Sequence, residues 1–137
     1  NFGEGLAIGA AFAAGSAGLG TFLVLGFAIH NVTEGIGIAA PIVRQKPPLW
    51  AFGALTLVAG APAVFGMWIG SLAYGSQWSA LALGVGAGAI LQVIVEVSAF
   101  FLRSSGGRGP SWLSPPVLSG FLVGVAFMYV TAAAIKV

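Results

Sequence analysis

The chain has 137 residues, 58% hydrophobic and only 6% charged, whereas soluble domains carry about 25% charged residues, so composition excludes a solvated globular surface. A net charge of +2 is too small to argue for a nucleic-acid partner. The absence of cysteine excludes a disulfide framework and a thiolate metal site.

In chain order, a first apolar helix is expected over 1–14. At 1.5 Å per residue it covers about 21 Å, less than the roughly 30 Å of a bilayer's hydrocarbon core. Together with an initial Asn rather than Met, this reads as a fragment whose upstream helices are missing. No basic leader or cleavage site marks it as a signal peptide, so it is taken as structure. Four longer apolar runs follow, over 19–43, 48–74, 79–102 and 115–136, each near the roughly 20 residues that span a bilayer. The expected fold is therefore all-α, a polytopic transmembrane bundle forming one domain over 1–137.

Breaker-rich turns separate these runs. Gly15-Ser16-Ala17-Gly18 divides the first two, and Pro47 and Pro48 open the third. Ser114 and Pro115 supply a cap and a first-turn proline for the last. Pro41 is expected to end or bend the second helix, and Pro62 to kink the third. Arg44, Lys46, Arg103 and Arg108 fall in loops that share one membrane face, against Lys136 on the other. The positive-inside rule places those loops in the cytoplasm and the C-terminus outside a plasma (inner) membrane. Trp50, Trp68, Trp78 and Trp112 lie near helix ends, at headgroup level. G-x-x-x-G spacings at Gly5/Gly9, Gly66/Gly70, Gly84/Gly88 and Gly120/Gly124 allow close helix packing and leave room for a homodimer.

The three acids of the chain, Glu4, Glu34 and Glu96, all fall inside apolar helices. Intramembrane ionisable groups are expensive to bury and commonly mark ion paths. The segment Asn1-Phe2-Gly3-Glu4-Gly5-Leu6-Ala7-Ile8 recurs as Asn31-Val32-Thr33-Glu34-Gly35-Ile36-Gly37-Ile38, with five of eight positions identical or Leu/Ile exchanges. Within each copy Asn and Glu share a helix face, and His30 joins Glu34 on its face. Counting from the tight turn puts Glu4 and His30 each about 17 Å away, and Asn1 and Glu34 each about 21 to 23 Å away. The two motifs should face each other near mid-membrane. Oxygen and imidazole groups from antiparallel helices suit Zn²⁺, Fe²⁺ or Mn²⁺ better than Cu⁺. Glu96, with Gln92 one turn before it, counts as about 10 Å from Arg103 and lies inward of the other acids.

These residues also resemble a known pattern. Asn1-Phe2-Gly3-Glu4-Gly5 and His30-Asn31-Val32-Thr33-Glu34-Gly35 are similar to the paired H-N-x-P-E-G signatures on the fourth and fifth helices of the ZIP (Zrt/Irt-like) divalent-metal transporters, especially the GufA-like branch. The resemblance covers the chain as helices four to eight of an eight-helix protein. It implies a binuclear site, with Glu4, His30 and Glu34 serving one metal, Asn1, Asn31, Glu34 and Glu96 the second, and Glu34 bridging. Gly3 and Thr33 stand where the family has prolines, and the family's His before the first Asn lies outside this sequence. The implied function is transport, not catalysis: Zn²⁺, or iron, manganese or cadmium as substrate, moved towards the cytoplasm. Acid should weaken uptake, because metal ligands must be deprotonated. Two other readings compete. A proton-coupled transporter of small organic cations would use the carboxylates as a relay, and a membrane metalloenzyme would need an open coordination position.

Overall fold

Apolar helix formers dominate between the breakers, and a backbone in lipid must satisfy its own hydrogen bonds. A computed structural model describes residues 1–104 and 114–135, and among them there are five α-helices and no strand. They are α1 (Phe2–Ala13), α2 (Ala17–Ala39), α3 (Leu49–Ser71), α4 (Ser76–Ser104) and α5 (Pro115–Ile135). Apart from α1, each is long and apolar enough to cross a membrane. The 23 residues of α2 extend about 34 Å. Arg108, Trp112 and Lys136 lie outside the described residues.

The boundaries follow local chemistry. At the end of α1, Gly15 adopts φ 76°, and the amides of Gly15 and Ser16 reach back to the carbonyls of Phe12 and Ala11. This double closure satisfies two carbonyls that the helix end leaves open. The next helix starts at Ala17, two residues before the expected position, because this closure leaves Ser16 directly at the N-cap. It stops at Ala39 instead of running to Val43, since Pro41 cannot donate to the ladder. A short 3-10 turn over Val43–Gln45 and a left-handed Lys46 (φ 50°) complete the reversal. Pro62 does not interrupt α3. Between α3 and α4, Gly75 takes φ 99°, and the buried Ser79 hydroxyl donates to the Ala73 carbonyl at 3.0 Å, tying the turn.

Seven of the twelve residues of α1 are buried: Gly3, Glu4, Gly5, Ala7, Gly9, Ala10 and Ala11. It packs most extensively on α3, then on α4, then on α2, while α5 packs chiefly on α2. Contacts that pair Gly5 with Ala63 and Gly9 with Met67 make α1 and α3 parallel; those that pair Gly3 with Ala89 and Ala7 with Gly86 make α4 antiparallel to α1. A Cβ on Gly5, Gly9, Gly66 or Gly70 would collide with the backbone of the facing helix, so these two G-x-x-x-G spacings form one seam. Gly84, Gly88, Gly120 and Gly124 face open space.

The bulky apolar residues point outwards. Leu49, Trp50, Val58, Tyr74 and Tyr129 are all exposed, while the core consists chiefly of Ala7, Ala10, Ala11, Ala73, Ala82 and Phe27. That inversion belongs to a membrane-embedded bundle, where lipid solvates large side chains and small ones allow helices to approach. Helix direction also places the C-terminal ends of α2 and α4 at one end of the bundle, with exposed Arg44, Lys46 and Arg103.

Candidate metal centre

Asn and Glu three apart project from one helix side, and antiparallel packing of α1 and α2 brings the two repeat copies together head to tail. The amide Nδ2 of Asn1 donates to Glu34 Oε2 at 3.0 Å and to the Ala59 carbonyl of α3 at 2.8 Å. About one turn along the seam, His30 Nε2 stands 3.4 Å from Glu4 Oε1. The pairings are those expected from counting turns.

The surroundings of the two acids on this seam differ. Glu4 is 4% exposed, and its second oxygen, Oε2, is buried without a hydrogen-bond partner. Buried polar atoms are overwhelmingly satisfied, and an orphaned one calls for a specific cause such as an ion. Glu34 is half-buried and lines a cavity of about 300 Å³ with Asn1, Asn31, Phe52, Thr56 and Ala59. Glu4 and His30 line another, of about 290 Å³, with Phe22, Phe27, Ile94 and Met128. The two cavities share no lining residue: Glu34 lines the one with Asn1 and Asn31, and Glu4 and His30 line the other.

Glu96 is not brought to this seam. Gly3 of α1 faces Ala89 on α4, and Glu96 is seven residues, about 10 Å, further along that helix. It is exposed, accepts a hydrogen bond from Gln92 Nε2 at 2.9 Å, and lines neither cavity. Among the described residues, no three His, Cys, Asp or Glu side chains group as a metal site. Any cation held at this seam would therefore be held partly by amide, hydroxyl or carbonyl oxygens.

Thr56 is the site residue that sequence reasoning missed. It lies on the cavity-lining face of α3 with Phe52, Leu55, Ala59 and Gly60, and it is the one hydroxyl residue of α3 before Ser71. An isolated hydroxyl in an apolar span was the available signal. At the two positions where the resembled motif carries proline, Gly3 packs against α4 and Thr33 returns its hydroxyl to the His30 carbonyl at 2.7 Å, a back-bond that tends to bend a helix.

Two carboxylates, an imidazole and two amides at this depth can attract and partly dehydrate a cation, since burying a lone carboxylate costs far more than burying a paired one. Comparison of the chain with protein-family models, curated proteins and solved structures gave no match.

Proposed function

We propose that the chain moves divalent metal cations across a membrane along the α1–α2 seam. The observation that carries this reading is the buried, unpartnered Oε2 of Glu4 beside His30, one turn from the Asn1–Glu34 pair. A buried carboxylate oxygen without a hydrogen-bond partner, next to an imidazole, offers ligand types that suit a divalent cation. The repeat's resemblance to the paired signatures of ZIP transporters supports the same reading, with Asn1, Glu4, His30, Asn31 and Glu34 as ligands and zinc, iron, manganese or cadmium as substrate. The resemblance alone supports Glu96 as a further ligand. The basic residues at one end of the bundle favour a plasma (inner) membrane orientation with that end cytoplasmic, the C-terminus outside, and transport directed inwards.

Zn²⁺ uptake into vesicles reconstituted with the protein tests this. Glu4→Ala is expected to abolish uptake, and undiminished flux through that variant would contradict the reading. The apolar walls around Glu4, with Phe22 and Phe27, favour a second reading, a proton-coupled transporter of small organic cations. Tetramethylammonium uptake that is driven by an imposed proton gradient and is not inhibited by Zn²⁺ would establish it instead.

A further inference from the structure

The hydrogen bonds around Asn1 fix which of its atoms is free. Both neighbours of its amide nitrogen, Glu34 Oε2 and the Ala59 carbonyl, are acceptors, so the nitrogen must face them, and its two hydrogens are thereby used. The Asn1 carbonyl oxygen has neither of these partners and remains an acceptor. Thr56 donates its hydroxyl hydrogen to the Phe52 carbonyl at 2.9 Å, which leaves the lone pairs of Thr56 Oγ1 to accept. The other carboxylate oxygen of Glu34, Oε1, takes no part in the Asn1 bond. Around the 300 Å³ cavity, the side-chain groups that can accept are thus a carboxylate, amide carbonyls from Asn1 and Asn31, and a hydroxyl. All are hard oxygens, with a single formal negative charge among them.

The other cavity differs in kind. Its polar groups are the Glu4 carboxylate and the His30 imidazole, surrounded by Phe22, Phe27 and Met128. Imidazole favours Zn²⁺ and Fe²⁺, whereas carboxylate, carbonyl and hydroxyl oxygens favour Mg²⁺, Ca²⁺ and Mn²⁺.

Resting on the transport reading, we propose that the two cavities sort cations by hardness, with the Asn1–Asn31–Glu34 cavity taking Mn²⁺-class ions and Thr56 as its specificity-determining residue. The Thr56 hydroxyl adds a neutral oxygen from a third helix, so the site gains coordination without the second carboxylate that would raise affinity for all divalent ions alike. The Glu4–His30 cavity takes Zn²⁺-class ions. Thr56→Val keeps the branched shape and deletes only the oxygen.

Equilibrium binding to the purified protein in nanodiscs separates the possibilities, with Mn²⁺ followed by loss of its free-ion paramagnetic resonance signal and Zn²⁺ by competition with a chelating dye. Thr56→Val is expected to weaken Mn²⁺ binding by about 10-fold or more and to leave Zn²⁺ binding unchanged, and Thr56→Ser to restore Mn²⁺. A purely structural role for Thr56 would shift both metals together. Equal shifts, no shift in Mn²⁺, or a wild-type protein that binds Zn²⁺ but not Mn²⁺ would each overturn this inference and leave the transport reading standing. A wild-type protein that binds neither metal would overturn both.

Discussion

The two faces of α1 are built on opposite principles. Towards α3, Gly5 and Gly9 meet the backbone of Ala63, Met67 and Gly70, and Gly66 and Gly70 meet that of Phe2, Leu6 and Ala10, with the Asn1 amide on the Ala59 carbonyl at one end of the seam. Towards α2, the contacts are Asn1 with Glu34 and Glu4 with His30, flanked by two cavities. The difference teaches that the glycine seam holds the short helix in place so that its other face can keep polar groups in register.

Substituting the seam should have the largest effect. Gly66→Ala places a methyl group against the Phe2 carbonyl and the Leu6 amide, and overpacking of this kind costs about 1–3 kcal/mol. Thermal unfolding in detergent should register that loss, and Zn²⁺ binding should fall with it as α1 shifts. Gly84→Ala serves as the control, because its Cβ would enter open space; its stability should change by no more than about 0.5 kcal/mol. If both variants unfolded alike, G-x-x-x-G spacing alone, rather than the seam, would govern stability.

A finer contrast separates the acids. Glu4 is buried with one oxygen unpartnered, while Glu96 is exposed and bonded to Gln92. Glu4→Gln should weaken Zn²⁺ binding by at least about 10-fold, measured with the chelating-dye titration. Glu96→Gln should leave that titration unchanged, since Glu96 lies about 10 Å along α4 from the level of Gly3. An equal loss from both substitutions would place Glu96 in the same site as Glu4.

Much of this arrangement was legible in the sequence. Hydropathy and breakers located all five helices, because in lipid the apolar run and the helix coincide. Their ends were less legible: the α2 terminus moved from Val43 to Ala39, since Pro41 acts on the carbonyls of the preceding turn rather than on its own position. Turn counting from Gly15 correctly opposed Asn1 to Glu34 and Glu4 to His30, because two antiparallel helices joined by a tight turn leave little freedom in register. The four G-x-x-x-G spacings could not be ranked in this way. They are identical as strings, and only the packing distinguishes Gly66/Gly70, in contact, from Gly84/Gly88, in open space. Thr56 was hidden for a related reason. Its helix follows the pair through a separate loop, and α3 meets Asn1 at the Ala59 backbone carbonyl, which no residue letter records.

The central claim, that the seam between α1 and α2 binds a metal cation through His30, is tested most directly by X-ray absorption at the zinc edge on the Zn²⁺-loaded protein. The account predicts imidazole scattering with a Zn–N distance of about 2.0–2.1 Å in the wild type, and loss of the imidazole contribution in His30→Ala. A wild-type spectrum without an imidazole contribution, unchanged in His30→Ala, would place the bound zinc elsewhere and contradict it.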